Sequence, residues 1–192
     1  MITVLLVLIP VLTGIVAFFI KEARSVKTWA LLSSVATLAV ALIAVFSSNA
    51  NQVSFDAPWL PIMGSRFSLS LDGMGKILEL LTAVSFPIIF AATYNNTYKK
   101  SNAFYGFMLL SQAGLMGVFA ASDLLLFYFF WELALIPVYF LCSTWGGEKR
   151  IAVTFKFFIY TFIGSLLMLV GILFVYYHAG ANSFALSALK NI

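Results

Sequence analysis

Glu132 is the residue whose type and position most clearly suggest chemistry in this sequence. It lies in a long apolar run that begins after Asp123, a residue placed to cap the start of a helix. At a rise of about 1.5 Å per residue, Glu132 lies ~14 Å further along that helix. At such a depth in a bilayer an acid costs ~2.5–3.5 kcal/mol to insert, and it usually faces the bundle interior or water. We therefore predict a proton-relay site at Glu132; the alternative is a neutral acid that only fixes helix packing.

Two neighbours of Glu132 in the same run support this role. Pro137 has no N–H, so the carbonyl of Leu133 loses its helical partner and becomes a free acceptor beside the acid. Tyr128 precedes Glu132 by one helical turn, which places its hydroxyl within reach of the carboxyl group. A proline kink and an aromatic tyrosine also serve packing, so both residues are supporting candidates only.

Lys156 is the second candidate for proton transfer. It lies early in the next apolar run, where Lys156, Tyr160 and Gly164 recur at four-residue spacing and share one helix face. Lys156 could face inward and exchange protons with the cytoplasmic side, with Tyr160 in support. The alternative is a lysine that extends to the membrane interface while its stem stays in the apolar layer.

Other polar and small residues receive structural interpretations. Lys76 and Glu79 are three residues apart, which permits an ion pair, and Asp72 is nearby, so the sequence favours an interfacial cluster without chemistry. Small residues allow close helix approach. We expect this of Gly114, Gly117, Gly164, Ser165 and Gly171.

The composition indicates which elements must hold these residues. The chain has 192 residues, of which 62% are hydrophobic and 9% charged, against ~25% charged in a typical soluble domain. The mean hydropathy is +1.04, so lipid must surround most of the chain. One histidine and one cysteine exclude a multi-histidine metal site, a disulfide and a four-cysteine cluster from this chain alone. No feature indicates nucleic-acid binding.

Six apolar runs are long enough to cross a bilayer, so we predict an all-α integral membrane fold. The predicted bundle occupies residues 1–178, with helices over roughly 2–20, 28–47, 74–94, 103–121, 123–143 and 152–177. The longest connection, 48–73, carries turn residues and then an alternating stretch typical of a short hairpin strand. Residues 179–192 are predicted to form an extracytoplasmic amphipathic segment, at a point where a longer chain is truncated.

Basic residues lie in three connections that share one side of the membrane. They are Lys21, Arg24 and Lys27, then Lys99 and Lys100, then Lys149 and Arg150. The long connection on the other side has only Arg66, beside Asp56 and Asp72. Because positive charge favours the cytoplasmic side, we predict an extracytoplasmic N-terminus. Positive residues follow the first apolar run instead of preceding it, so this run is predicted to be a retained helix and not a signal peptide.

Particular motifs resemble those of a known family. The sequence Trp131-Glu132, followed by Pro137-Val138-Tyr139, is similar to the fifth-helix motif of the antiporter-like membrane subunits of respiratory complex I. Gly146-Gly147 and then Lys156-Phe157-Phe158-Ile159-Tyr160 resemble the segment that follows it. The resemblance covers 1–192 in helix order and polarity, and it is most specific from 123 to 165.

The resemblance implies a function for Glu132. In that family the fifth-helix glutamate is essential for proton translocation, and its partner lysine comes in a seventh helix, beyond this sequence. Lys156 matches a basic residue of the sixth helix. The resemblance also implies that these residues form the first part of a fourteen-helix subunit, so they hold half of a proton site.

These features together favour a proton-translocating membrane subunit of a bacterial NADH:quinone oxidoreductase in the inner membrane. The chain is part of an enzyme but performs no redox chemistry and binds no cofactor itself. NADH, FMN, iron–sulfur clusters and quinone would belong to partner subunits, and neighbouring antiporter-like subunits would contact the chain in the bilayer. One alternative is a subunit of a multi-subunit cation/proton antiporter. Another is a non-catalytic membrane scaffold, in which an apolar replacement of Glu132 affects only stability.

Overall fold

The chain folds into a helical bundle with one small sheet at one end. A computed structural model describes residues 1–47, 53–179 and 183–189. The helices are α1 (Ile2–Ala17), α2 (Ala23–Phe46), α3 (Gly73–Thr93), α4 (Ser101–Ala120), α5 (Leu124–Trp145), α6 (Arg150–Ala179) and the short α7 (Leu186–Leu189). The strands β1 (Ser54–Leu60) and β2 (Ser65–Ser70) lie between α2 and α3. The predicted all-α membrane architecture with six apolar helices is confirmed, and five of these helices are long enough to cross a membrane.

The helices differ from the predicted spans mainly at their ends. Five helices, α2 to α6, are long and apolar enough to cross a membrane among the described residues, whereas α1 is a shorter apolar helix. The first predicted span continued to residue 20, but after Ala17 the backbone forms a turn in which Phe18 and Ile20 donate to carbonyls three residues earlier. By contrast, α2 begins earlier than expected and includes Arg24 and Lys27, because a helix can continue past the apolar layer.

The helices pack as a cluster in which α4 is central. It contacts α1, α2, α3 and α5, while α6 packs against α5. Gly114 and Gly117 allow the close approach of α5, as predicted: an added Cβ at Gly114 would lie 2.6 Å from the Cα of Ala134, and at Gly117 it would overlap the ring of Phe130.

The outer helix α6 is mostly uncovered in this structure. Of the apolar segment of α6 that is long enough to cross a membrane, only 11% is buried, whereas 61% of the corresponding segment of α4 is buried. Gly164 and Gly171 have no neighbouring atom within 4 Å of an added Cβ, so the predicted close helix approach at these two residues is wrong for the described chain. Ser165, by contrast, is buried, because it lies on the face of α6 that meets α5.

A β-hairpin closes one end of the bundle, here called the hairpin end. β1 and β2 are antiparallel, with Ser54 paired to Ser70 and Asp56 to Ser68. Gly64 turns the chain between them with φ 69°, a left-handed conformation that glycine adopts without strain. Arg66 of β2 donates to both carboxylate oxygens of Asp56 on β1, a cross-strand ion pair.

Asp123 joins the hairpin to α5. Its carboxylate accepts hydrogen bonds from the backbone N–H groups of Leu125 and Leu126, so it caps the helix as predicted. The same buried carboxylate accepts from the Ser65 hydroxyl and from the N–H of Arg66 in β2. The hairpin is therefore attached to α5 through one side chain.

The C-terminal residues also meet this junction. The N–H of Leu124 donates to the carbonyl of Phe184, and the N–H of Leu186 donates to the carbonyl of Ser122. Of the predicted amphipathic segment, 183–189 is described, and its helix comprises Leu186–Leu189. Residues 180–182 and 190–192, and residues 48–52 of the long connection, lie outside the described residues.

Candidate proton-relay site

Glu132 lies on the face of α5 that is turned toward α6. Tyr139, seven residues later and hence on the same helix face, contacts the ring of Phe158 on α6 with 5.0 Å between centroids. The opposite face, with Phe130 and Ala134, packs against α4. Glu132 is eight residues into α5, ~12 Å from the hairpin end.

The carboxyl group of Glu132 is partly buried and incompletely paired. Its Oε1 atom is shielded from solvent and has no hydrogen-bond partner among the described residues. The Tyr128 hydroxyl lies beside both Glu132 and Ser165 of α6. A buried acceptor without a partner costs ~1–3 kcal/mol. The site is therefore arranged to receive a further donor, such as a cation, a water molecule or a proton.

Pro137 is buried within α5, which continues through it to Trp145. Because proline has no N–H, the carbonyl of Leu133 next to Glu132 lacks its usual helical donor. The structure thus places Tyr128, Glu132 and Pro137 within four helical turns of one element.

Lys156 and Tyr160 are not brought to Glu132. Both are exposed on α6, with Tyr160 at 75% exposure. Lys156 is six residues from the α6 end that lies opposite the hairpin, ~9 Å from that end, and it forms no ion pair with the described residues. The predicted shared face of Lys156, Tyr160 and Gly164 exists, but within this chain that face is uncovered.

The environment of Glu79 differs more from the sequence-based expectation than that of any other candidate residue. Its side chain is 1% exposed, and neither carboxylate oxygen has a hydrogen-bond partner among the described residues. The predicted ion pair with Lys76 is absent there, because the Lys76 ammonium group donates to the carbonyl of Ser47 at 2.9 Å. The prediction that Glu79 belongs to an interfacial cluster is therefore wrong. The signal that could have revealed its burial is the helical spacing of Gly75, Glu79 and Thr82.

The described residues contain no group of three or more His, Cys, Asp or Glu side chains that could hold a metal ion. The arrangement at Glu132 combines a carboxyl group, a phenol and a backbone carbonyl without its usual helical donor in one apolar helix, and a carboxyl group in such a setting is able to take up and release a proton.

Known proteins are similar to this chain in both sequence and fold. Residues 121–192 match the family described as NADH:quinone oxidoreductase/Mrp antiporter, TM. F(420)H(2) dehydrogenase subunit M of Methanosarcina mazei is 38% identical over 179 residues, which cover 91% of this chain and 36% of the relative. NADH-quinone oxidoreductase subunit M of Rhodobacter capsulatus is 38% identical over 163 residues, covering 83% of this chain and 31% of the relative.

A solved structure agrees with these relatives. A chain of respiratory complex I from Thermus thermophilus with bound NADH has a TM-score of 0.86 at 30% identity, covering 98% of this chain and 38% of that chain. The apolar helices indicate a multi-pass membrane protein, and the matches show that its sequence and fold are similar to those of the antiporter-like class. Within that class, the chain is similar to membrane subunits of complex I and of related complexes, including relatives named subunit M. It spans about a third of the length of these relatives.

Proposed function

We propose that this chain is the N-terminal part of a proton-translocating membrane subunit of a bacterial NADH:quinone oxidoreductase. The observation that carries the proposal is the setting of Glu132, a carboxyl group inside an apolar helix whose buried Oε1 atom has no hydrogen-bond partner in the described parts of the chain. Ionisable groups at such positions usually take part in ion or proton pathways. The relatives named as subunit M support the same assignment.

Glu132 would act as a proton relay that responds to a partner charge. An approaching cation favours the ionised carboxylate, and its withdrawal favours the protonated acid. Tyr128 would orient the carboxyl group and Pro137 would supply the nearby free acceptor. The partner lysine implied by the family resemblance belongs to a later helix, on the α6 side that Glu132 faces.

Lys156 and Tyr160 have a less direct role in this proposal. Their exposed face on α6 is suited to contact later helices of the same subunit or a neighbouring membrane subunit. In such an assembly Lys156 would exchange protons with the nearer aqueous phase. The alternative role for Lys156 is structural: its side chain extends to the membrane interface and takes no part in proton exchange.

The proposed location is the bacterial inner membrane, with the hairpin end extracytoplasmic. The basic connections after α1, α3 and α5 all lie at the opposite end, which the positive-inside rule assigns to the cytoplasm. NADH, FMN, iron–sulfur clusters and quinone would bind partner subunits. The Methanosarcina mazei relative is named for a different electron donor, so the donor is the part of the proposal that assays of the complex must establish.

A multi-subunit cation/proton antiporter is the second candidate function, because the matched family is described by both activities. The two functions differ in their energy source. An antiporter exchanges a cation for protons without an electron donor, whereas the proposed subunit moves protons only during electron transfer.

The test is Glu132→Gln in the full-length subunit within its complex, reconstituted in vesicles. We expect proton transport driven by electron transfer to fall at least about tenfold, since amide replacement removes the titrating group. The matched control is Glu148→Gln, which changes an exposed glutamate in the connection after α5. Proton transport by Glu132→Gln at the wild-type rate would exclude the relay role of Glu132 and favour the alternative of a non-catalytic membrane scaffold.

A further inference from the structure

The buried carboxyl group of Glu79 is not explained by the function proposed for Glu132. It lies on the inner face of α3, a face whose buried members are Gly75, Glu79, Thr82, Ala83, Phe86 and Phe90. Glu132 lies on a different interface, between α5 and α6. The two carboxyl groups therefore occupy separate parts of the bundle, with α4 between their helices.

Within the described ranges, the helices around Glu79 present no cation to it. Neither α1 nor α4 contains a charged residue. The charged residues of α2 are Arg24 and Lys27, in its first turns at the end opposite the hairpin. On α3 itself, Lys76 is engaged with the Ser47 carbonyl. An ionised carboxylate in this position would be desolvated and unpaired, which is strongly unfavourable.

Gln112 of α4 faces the same interface. It is seven residues from both Tyr105 and Phe119, and hence shares their helix face. Tyr105 donates its hydroxyl to the carbonyl of Thr93 on α3, and an added Cβ on Gly75 of α3 would lie 3.1 Å from the Phe119 carbonyl oxygen. Gln112 is fully buried, and its amide oxygen and nitrogen both lack partners among the described residues.

Glu79 and Gln112 lie at similar depths on these facing helices. Glu79 is six residues from the start of α3 and Gln112 eight residues from the end of α4, or ~9 Å and ~12 Å from the hairpin end. Their Cβ atoms lean toward opposite ends of the bundle, because the two helices are antiparallel. A direct bond is not formed, so bound water is the group that would satisfy both.

An open cavity at the hairpin end reaches the residues beside Glu79. Its lining includes Gly75 and Leu78 of α3, one turn and one residue before Glu79, and the polar side chains of Asp72, Ser122 and Asp123. This cavity brings the aqueous phase at the hairpin end to within about one helical turn of Glu79, which does not itself line it.

We propose that Glu79 is a second protonation site, hydrated together with Gln112 and in proton exchange with the aqueous phase at the hairpin end. In the resting state the carboxyl group holds its proton. On release, the proton passes to water as hydronium and leaves a carboxylate, which a returning proton neutralises. This site does not depend on Glu132 or on the electron donor of the complex.

Infrared spectroscopy of the full-length protein in lipid tests the proposal. We expect a carboxylic-acid C=O stretching band that shifts to lower frequency in D₂O, is lost in Glu79→Gln and persists in the control Glu132→Gln. A wild-type spectrum identical to that of Glu79→Gln would overturn the protonated site. A Glu79 band that does not shift after prolonged exposure to D₂O would overturn its exchange with water.

Two further variants keep the test decisive. Gln112→Leu removes the amide that shares the hydration, so we expect the Glu79 band to remain but to change frequency and exchange more slowly; no change would remove Gln112 from the site. If Glu79→Gln fails to fold, Glu79→Asp keeps the acid and shortens its reach, and its band must move. An unmoved band would assign the signal to another residue.

Discussion

The Asp123 carboxylate accepts a hydrogen bond from the Ser65 hydroxyl at 2.9 Å, across 58 residues of sequence. The same oxygen, Oδ1, also accepts the N–H groups of Leu125 and Leu126. One buried side chain thus caps α5 and fixes strand β2 against it.

Replacing Asp123 by alanine should therefore destabilise the protein more than loss of an ordinary helix cap. A cap alone is worth ~0.5–2 kcal/mol, and the buried Ser65 hydroxyl would also lose its acceptor. Thermal unfolding of the full-length protein in detergent measures the effect. The control is Asp72→Ala, which removes the cap of α3, where Asp72 is exposed and its carboxylate accepts a hydrogen bond from the N–H of Gly75. Equal losses from both variants would contradict the double role of Asp123.

Gly117→Ala should destabilise the α4–α5 contact. The added methyl group would overlap the ring of Phe130, and overpacking of this kind costs ~1–3 kcal/mol. The matched control is Gly171→Ala, where no atom lies within 4 Å and alanine is the better helix former. Thermal unfolding of both variants should show a loss for the first and no loss for the second.

The ion pair of the hairpin predicts a pH dependence. Hydrogen bonding from Arg66, with its positive charge, lowers the pKa of Asp56 below its ordinary value of 3.8. A depressed folded pKa stabilises the folded state above the unfolded value, and this contribution is lost as the pH falls through the folded pKa. The stability difference between wild type and Asp56→Asn should therefore be present at neutral pH and vanish only below 3.8. A difference that disappears near neutrality would contradict this assignment.

Tyr128→Phe should impair proton transport less than Glu132→Gln. It removes one hydroxyl beside the carboxyl group but keeps the ring, and a single hydrogen bond of ~1 kcal/mol corresponds to a change of about fivefold. Rates of proton transport in vesicles would measure it. Tyr177→Phe makes the same chemical change at a tyrosine that is 76% exposed on α6. If both variants lowered transport equally, Tyr128 would have no particular role at the site.

Hydropathy and alternation predicted the elements of this fold because each is a local property of the chain. The apolar runs became α1 to α6, and the alternating stretch after Arg66 became β2. The helix ends were less predictable. Arg24 and Lys27 continue α2 beyond the apolar layer, where composition no longer signals a helix.

Side-chain partners across helices were not predictable in the same way. The spacing of Lys76 and Glu79 suggested an ion pair, but Lys76 reaches the Ser47 carbonyl at the end of α2, a contact that depends on how two helices are rotated. The same rotation buries Glu79 on the inner face of α3. For Gly164 and Gly171, small size was compatible with a helix contact, yet α6 presents both residues to the outside.

The attachment of the hairpin also determines how α5 can move. Its first residues are held by Asp123, by Ser65 and by the Phe184 carbonyl. At its other end, Trp145 donates a hydrogen bond to the Lys99 carbonyl and contacts the ring of Phe104 edge to face. A rigid tilt of α5 about this attachment would have its pivot at the hairpin end. Glu132 lies ~12 Å from that pivot and Trp145 ~32 Å. The carboxyl group of Glu132 would therefore move by only about two-fifths of the distance that Trp145 moves.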